Sequence, residues 1–222
     1  MAPITETSYT KVYVVDDHPI VADGIVKLID DEHDMFVCGQ AKTAEQALKE
    51  MKEHKPDLAT IDLSLNKMGG LDLIRELRIH LPELKILVIS FRDEKLYAER
   101  SFTAGAHGYI MKGEKSQEVL NAVRVVRDGG RYTSPAMTRQ ILDGYGDKKP
   151  KSGIQSLTNR ELEIFRLIGG GNSTINIAQQ LHRSPKTIEA HRTNIRRKLE
   201  VANHAELVTR AVKYVLDEED FN

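Results

Sequence analysis

Five short apolar runs, rich in β-branched side chains, lie in the first half of the chain, and segments of helical period separate them. Runs that are short and almost continuously apolar are typical of strands buried on both faces of a parallel sheet. Their alternation with helices predicts an α/β domain, a doubly wound parallel five-stranded sheet with helices on both sides. The predicted strands are Val12–Val15, Met35–Ala41, Leu58–Ile61, Ile86–Ile89 and Tyr109–Met111.

The pattern changes after residue 130. Between 131 and 155 the periodicity dissolves into a stretch rich in Gly, Lys, Pro and Ser, which predicts a flexible linker. Beyond the linker we find four helical patterns, and the first begins with Thr158 and Glu161 at the spacing of a capping box. The sequence therefore predicts an α/β domain over 8–130, a linker over 131–155 and an all-α four-helix domain over 156–217.

Composition and charge indicate two domains with different partners. A chain of 222 residues is long enough for two domains that each bury a core. Residues 1–130 carry 17 Lys+Arg against 22 Asp+Glu, whereas residues 151–216 carry 11 against 5. The basic part suits a polyanion such as DNA, and the acidic part suits a metal cation. Without a signal segment or an apolar run of about 20 residues, we expect a cytoplasmic protein with no membrane partner.

Reactive side chains stand at the ends of the predicted strands. Asp16 and Asp17 follow the first strand, Asp62 follows the third, Ser90 the fourth and Lys112 the fifth. An acidic residue after a strand is often only a helix cap or a turn former. Because the crevice of an open α/β sheet lies at the carboxyl ends of its strands, however, these side chains are expected to meet. Clustered carboxylates repel one another unless a cation holds them.

A hard divalent ion such as Mg²⁺ would hold these carboxylates and keep positions open for a phosphoryl oxygen. Asp62 is then a candidate nucleophile that forms an aspartyl phosphate, while the metal and Lys112 neutralise the transferring group. We expect the Lys112 ammonium to have an anionic partner only when phosphate is present. Lys112 should therefore matter more for the response than for folding.

Four segments resemble the receiver domains of two-component response regulators, over about residues 10–130. They are D-D-H-P at 16–19, P-D-L-A-T-I-D at 56–62, V-I-S at 88–90 and G-A-H-G-Y-I-M-K at 105–112. The resemblance implies a flavodoxin-like fold with Asp62 as phospho-acceptor. It implies a Mg²⁺ site formed by Asp16, Asp17, Asp62 and the main-chain carbonyl of Ser64. It further implies that the phosphoryl group contacts Ser90 and Lys112, and that Tyr109 swings inward on activation.

Between Asn172 and Leu199 the pattern predicts two helices joined by a tight turn at His182 and Arg183. The second helix has a well-marked start, because Ser184 is a good N-cap and Pro185 suits the first helical position. A helical wheel places Ile188, Ile195 and Leu199 on a packing face. The opposite face carries Lys186, Glu189, Ala190, Thr193 and Arg197.

A basic helix face is usually only a solvated surface. The preceding helix, the short turn and further cations favour a second interpretation, in which long cationic side chains clamp phosphates around base contacts. These cations are Arg183, Arg192, Arg196 and Lys198.

The C-terminal segment resembles the LuxR-type helix-turn-helix over roughly 155–216, through L-T-N-R-E-L-E-I at 157–164, I-A-Q-Q-L and T-I-E-A-H-R-T-N-I-R-R-K-L. Together with the receiver it resembles the NarL/FixJ group of regulators. The resemblance implies base contacts by Glu189, Ala190 and Thr193, and contacts mostly to phosphates by Lys186, Thr187, Arg192 and Arg196, with Arg197 also facing DNA.

The last predicted helix, about His204–Leu216, carries an apolar stripe. Modules of this type often dimerise through that helix, but the stripe also suits closure of the domain core, and both roles are compatible. The residues of the stripe are Leu207, Val208, Ala211 and Val215.

These features together predict a response regulator that receives a phosphoryl group from a sensor histidine kinase. The added charge would bias a two-state receiver toward dimerisation and binding of promoter DNA, which regulates transcription. Enzymatic activity would be limited to self-catalysed phosphoryl transfer and slow dephosphorylation. Two alternatives stay open: a phosphatase of the aspartyl-phosphate type that acts on small substrates, and a regulator that binds DNA without phosphorylation.

Overall fold

The computed structural model describes residues 9–65, 68–144 and 152–219. The chain divides into two compact units, with the boundary between Ile141 and Leu142. Among the helices within the described ranges, none is both long enough and apolar enough to cross a membrane.

The first unit is a five-stranded parallel sheet in the order β2-β1-β3-β4-β5, which is the doubly wound arrangement predicted from the sequence. The strands are β1 (Thr10–Val15), β2 (Met35–Ala41), β3 (Leu58–Ile61), β4 (Lys85–Ser90) and β5 (Gly108–Met111), and the helices between and after them are α1 (Pro19–Asp30), α2 (Ala44–His54), α3 (Gly70–His80), α4 (Glu94–Ala104) and α5 (Ser116–Arg127).

Helices cover both faces of the sheet. On one face α1 and α5 contact each other, and Val12 and Val14 of β1 pack in a core cluster with Ile25 of α1 and Val123 of α5. The helices α2, α3 and α4 contact one another in succession and pack on the sheet through β1, β2 and β5. Strands buried on both sides account for the almost continuous apolar runs in the sequence.

Backbone hydrogen bonds continue the ladder one residue beyond the strands. The Asp16 amide donates to the Ala41 carbonyl (3.0 Å), the Asp62 amide to Val15 (2.9 Å) and the Lys112 amide to Ser90 (2.8 Å). These bonds fix the polar residues after β1, β3 and β5 at one edge of the sheet.

The loop after β3 folds closely against the start of α3. A Cβ atom at Gly70 would lie 2.3 Å from the carbonyl oxygen of Asp62 and 2.7 Å from Cα of Leu63. Backbone atoms cannot give way at such distances, so only glycine fits this position. The sequence pattern gave no indication of this contact.

The predicted linker contains ordered structure that the sequence analysis missed. The Tyr132 amide donates to His107 (3.1 Å), and the Tyr132 carbonyl accepts from Tyr109 of β5 (2.9 Å). A sixth helix, α6 (Pro135–Gly144), follows. Residues 145–151 of the predicted linker lie outside the described residues, and the boundaries at 8, 130 and 155 stay predictions.

In the second unit a 3-10 turn, Gly153–Ser156, precedes the four predicted helices. Helix α7 is capped as expected: the Thr158 hydroxyl accepts from the Glu161 amide (3.3 Å), and the Glu161 carboxylate accepts from the Thr158 amide (2.8 Å). α7 packs against α9 and α10, and α8 packs against α9. The bounds are α7 (Asn159–Gly169), α8 (Thr174–Gln180), α9 (Pro185–Leu199) and α10 (His204–Glu219).

Candidate functional site

The predicted carboxylate site is assembled at the carboxyl edge of the sheet. Asp16 and Asp62 are each only 2% exposed, and Ser90 and Lys112 are also buried. The Lys112 Nζ lies 2.8 Å from Oδ2 of Asp16 and 2.9 Å from Oδ2 of Asp62. The Ser90 hydroxyl donates to Oδ1 of Asp62 at 2.7 Å. Both oxygens of Asp62 are therefore held by groups at the carboxyl ends of β4 and β5.

The expectation that Lys112 lacks an anionic partner without phosphate is wrong. Its ammonium bridges Asp16 and Asp62, and all three side chains are almost completely buried. Carboxylates placed together at low exposure need a compensating cation, and the lysine after β5 lies within reach of both. Lys112 therefore contributes to the site before any phosphoryl group arrives.

His18 also belongs to the site, although the sequence analysis gave it no role. Its backbone amide donates to Oδ1 of Asp16 (2.9 Å), and its Nδ1 lies 2.9 Å from Oδ1 of Asp17 and 3.9 Å from Oδ2 of Asp62. Burial raises the pKa of Asp17, His18 lowers it, and Asp62 and Asp16 raise it, with a net increase. The only signal in the sequence was the position of His18, directly after two acids and before Pro19.

The donor atoms fit a hard divalent cation. One ligand atom each from Asp16, Asp17, His18 and Asp62 can be chosen so that all lie within 4.8 Å of one another. Opposite ligands around Mg²⁺ are about 4 Å apart, twice a bond of about 2.1 Å, and carboxylate oxygens are its preferred protein ligands. Imidazole suits softer metals, so the three carboxylates are the better magnesium donors. The carbonyl of Ser64, in the loop after Asp62, stays a predicted ligand.

Tyr109 lies on the inside of the unit. Its side chain is fully buried, which raises its pKa well above the usual value, and its hydroxyl donates to the Arg92 carbonyl at 2.7 Å. The Arg92 amide in turn lies 3.4 Å from the Ser90 hydroxyl. Hydrogen bonds thus connect Asp62, Ser90, Arg92 and Tyr109. The inward swing of Tyr109 on activation stays a prediction.

The helix pair in the second unit has the predicted geometry. The turn between α8 and α9 places His182 in the left-handed region, with φ of 49°. The Ser184 hydroxyl accepts from the Thr187 amide (3.1 Å), and Pro185 is the first residue of α9. Ile188, Ile195 and Leu199 are buried as expected. The face opposite them is exposed through Lys186, Glu189, Ala190, Thr193 and Arg197.

The placement of Arg192 among the phosphate-contacting residues is wrong for this structure. Its side chain is inside the domain, only 5% exposed, because residue 192 falls between Ile188 and Ile195 on the packing face of α9. Arg192 donates to the Thr174 hydroxyl (3.0 Å) and lies 2.7 Å from a ring nitrogen of His204. Arg192 had been expected at the surface only because its side chain is charged.

Two further cations of α9 are engaged within the unit. The Lys198 ammonium lies 2.6 Å from the Glu161 carboxylate, and half-buried Arg196 donates to the Ala202 carbonyl at 2.8 Å. Arg183, Lys186 and Arg197 are exposed. These three residues form the accessible part of the predicted cationic set.

The apolar stripe of α10 divides into two parts. Leu207 and Ala211 are fully buried, and a Cβ atom at Gly169 of α7 would lie 2.3 Å from the Ala211 carbonyl. These two residues close the core, so their placement in a dimer contact is corrected. Val208 and Val215 are half-buried, and they lie on the helix with the exposed apolar residues Val212 (36%) and Leu216 (54%).

Family models match both units. The model described as response regulator receiver domain matches residues 12–124, and the model described as bacterial regulatory proteins, luxR family, matches residues 155–211. Both expectations drawn from the motifs are thereby confirmed.

Relatives share this organisation over nearly their whole length. The response regulator GacA of Pseudomonas aeruginosa is 35% identical over 205 residues, 92% of this chain and 96% of that protein. The response regulator UvrY of Escherichia coli K12 is 32% identical over 206 residues, 92% of this chain and 94% of that protein. RcsB of Salmonella enterica serovar Typhimurium, solved bound to promoter rprA in the presence of the phosphomimetic BeF3-, has the same fold, with a TM-score of 0.69 at 23% identity over 91% of this chain and 98% of that one. The chain therefore belongs to the response regulator family, in the NarL/FixJ group that joins a receiver domain to a LuxR-type helix-turn-helix domain.

Proposed function

We propose that this response regulator accepts a phosphoryl group on Asp62 from a sensor histidine kinase and, once phosphorylated, binds promoter DNA as a dimer to regulate transcription. The environment of Asp62 carries the proposal. One oxygen accepts from Ser90, the other from Lys112, and two further carboxylates lie beside them. A carboxylate needed only for folding would be more stable without two further carboxylates beside it, because like charges repel one another.

The residues divide the chemistry among themselves. Asp16, Asp17 and Asp62, with the Ser64 carbonyl, would hold Mg²⁺, which neutralises the phosphoryl oxygens when bound. An oxygen of Asp62 attacks the phosphorus atom of the phosphohistidine of the kinase. The bond between phosphorus and the imidazole nitrogen breaks, and the leaving imidazole takes a proton. Hydrolysis of the acyl phosphate restores the carboxylate, which is the only turnover the site needs.

Two groups respond to the new phosphoryl oxygens. The Lys112 ammonium lies 2.9 Å from the acceptor carboxylate, so it can transfer its hydrogen bond from Asp62 to the phosphoryl group. The Ser90 hydroxyl, 2.7 Å from the other oxygen, can do the same. Such transfers alter the bonds that connect Ser90 with Arg92 and Tyr109, and the change in charge thereby biases the receiver between two states.

Helix α9 supports the DNA-binding part of the proposal. Its exposed face carries Glu189, Ala190 and Thr193, which would reach base edges, between cations that would meet phosphates. Lys186, Thr187, Arg196 and Arg197 would supply the phosphate contacts. Because one recognition helix covers too little DNA for regulatory affinity, we expect a dimer on two half-sites. The half-buried Val208 and Val215 of α10, with the exposed Val212 and Leu216, would supply apolar surface for pairing. Such a regulator would work in the cytoplasm.

The experiment compares the wild-type chain with Asp62→Ala, using acetyl phosphate and Mg²⁺ and then beryllofluoride as phosphoryl mimic. The wild-type protein should gain one acid-labile phosphate, sediment as a dimer and bind duplex DNA more tightly. Asp62→Ala should do none of these, whereas Asp23→Asn, an exposed acid on α1, should behave as wild type. Acid-labile phosphate on Asp62→Ala would contradict the acceptor assignment, and turnover of small phosphate esters would favour a phosphatase. A wild-type protein that dimerises and binds DNA equally well without either reagent would favour control independent of phosphorylation.

A further inference from the structure

A chain of hydrogen bonds connects the start of α10 with the exposed face of α9. It begins at His204, whose ring nitrogens lie 2.7 and 3.0 Å from one guanidinium nitrogen of Arg192. A second guanidinium nitrogen of Arg192 donates to the Thr174 hydroxyl at 3.0 Å. The Thr174 hydroxyl then donates to Oε1 of Glu189 at 2.6 Å. Four residues on three helices are thus joined in one series.

Opposite charges at Arg192 and Glu189 stabilise this series. Arg192 is a nearly buried cation, and the Glu189 carboxylate lies 3.9 Å from its Nε, close enough to compensate that charge in part. Glu189 is nevertheless an exposed residue on the face that points away from the core. The buried charge therefore attracts a carboxylate that stands at the surface.

The contacts leave part of the carboxylate available. Among the residues that the structure describes, the bond from Thr174 and the approach of Arg192 both involve Oε1 of Glu189. Oε2 is left to accept a hydrogen bond from a base edge, such as the amino group of cytosine in the major groove. A glutamate side chain that is already fixed before binding loses less conformational entropy when it meets a base.

We propose that Thr174, Arg192 and His204 are positioning residues that hold Glu189 in the conformation in which it discriminates between base pairs. The inference rests on the proposed DNA-binding function. It names two residues outside the recognition helix, Thr174 and His204, and one on its packing face, Arg192, that determine its specificity. Thr174 is the central member, because its hydroxyl accepts from Arg192 and donates to Glu189 in the same arrangement.

The decisive variant is Thr174→Val, which keeps the shape of the side chain but removes the hydroxyl. Thr174→Ser keeps the hydroxyl and serves as the conservative rescue. Thr103→Val on α4 is the matched control, because among the described residues its exposed hydroxyl donates only to the Glu99 carbonyl of its own helix, at 2.8 Å. Each full-length protein is activated with beryllofluoride and Mg²⁺. Preferred duplexes are selected from a random library with the wild-type protein, and affinities are then measured on a set of single-base variants.

Discrimination is the ratio of the affinities for the preferred duplex and for a single-base variant. We expect Thr174→Val to lower this ratio about tenfold at one base pair, which is within the range that a single base contact supplies. Affinity for nonspecific duplex and the salt dependence should stay unchanged, since no phosphate contact is removed. Thr174→Ser and Thr103→Val should keep the wild-type preference. In a Glu189→Ala background, Thr174→Val should have no further effect on discrimination, because the residue through which it acts is absent.

Other outcomes would overturn the inference. A Thr174→Val protein that is less stable to heat but discriminates like wild type would show that the series only supports the buried Arg192. The inference would also be wrong if Thr174→Val lost affinity equally on all duplexes. It would be wrong as well if Thr174→Val had the same effect in the Glu189→Ala background as in the wild-type protein. If the activated wild-type protein selects no preferred duplex at all, the proposed function itself fails, which is a distinct result.

Discussion

The ammonium of Lys112 offers the sharpest test of how the acceptor site is held together. The side chains of Lys112, Asp16 and Asp62 are 3%, 2% and 1% exposed, and the two contacts measure 2.8 and 2.9 Å. Lys112→Met keeps the length and most of the volume of the side chain but removes the charge. The variant therefore isolates the electrostatic contribution from the packing of the long side chain.

The expected magnitude follows from the burial of the pair. Removal of one member of a buried ion pair typically costs about 3–5 kcal/mol, because the remaining charge is left without compensation. Here one cation serves two carboxylates, so we expect Lys112→Met to lose about 3 kcal/mol or more of the free energy of unfolding of the first unit at neutral pH. Mg²⁺ should restore part of that loss, since a ligand that binds only the folded site stabilises it by mass action.

Hydrogen exchange followed by mass spectrometry is a suitable assay, because peptides from β1 and β3 report on the first unit independently of the second. Lys115→Met is the control, as Lys115 is an exposed residue just before α5. The control should exchange as wild type does. The reasoning would be refuted if Lys112→Met lost less than about 1 kcal/mol, or if Mg²⁺ stabilised variant and wild type equally. Lys112→Met should also accept phosphate yet gain less affinity for DNA than wild type.

Two further predictions concern stability. Burial raises the pKa of Glu161, but Lys198 and Thr158 outweigh it, so the net pKa is lowered. The carboxylate therefore stabilises the fold above its unfolded pKa of about 4.3. Glu161→Gln should lower the free energy of unfolding by about 1.5–3 kcal/mol at neutral pH and by less as the pH falls below about 4. Thermal unfolding at several pH values measures this loss. A loss that does not depend on pH would contradict this. Gly70→Ala should slow phosphoryl transfer to Asp62 and destabilise the first unit by about 1–3 kcal/mol, because its Cβ would lie 2.3 Å from the Asp62 carbonyl oxygen. Gly24→Ala is the control and should leave phosphoryl transfer unchanged, because a Cβ there has no atom within 4 Å.

The strands were predictable because burial and pairing coincide along most of them. The bounds of β2 and β3 agree with the apolar runs, whereas β4 includes Lys85 at its start and Ser90 at its end. Lys85 is part of the strand because it is paired with Leu58, and backbone pairing does not require an apolar side chain. Apolar runs therefore reveal the centre of a strand better than its ends.

The start of helix α6 carries a local signal that the sequence analysis did not use, because Ser134 and Pro135 repeat the N-cap and first-position pair of α9. Both oxygens of Glu94 on α4 accept from Ser134, one from its amide (2.9 Å) and one from its hydroxyl (2.5 Å). The Ser134 hydroxyl then accepts from the Met137 amide at 3.1 Å, in the first turn of the helix. Forty residues separate Glu94 from Ser134, so the sequence does not reveal this second contact that holds the start of the helix.

The functional residues were predictable in kind but not in their contacts. Strand ends identified Asp62 and its neighbours, because parallel topology brings those ends together. The bridging role of Lys112 and the inward position of Arg192 both depend on partners from other elements of the fold. The helical wheel that places Ile188 and Ile195 on the packing face also places residue 192 there, whereas its partners Thr174 and His204 come from other helices.

The same distant contacts connect the acceptor site with the end of the first unit. The loop after β4 holds the Arg92 carbonyl, which accepts from Tyr109, and α4 begins two residues later with Glu94, which binds Ser134. Tyr109 also donates its amide to Tyr132, directly before the segment that starts α6. Two separate sets of hydrogen bonds therefore connect this loop and its neighbours with residues 132–134. Short, directional contacts thus join the surroundings of Asp62 to the start of α6, and we expect phosphorylation to alter the energy of both.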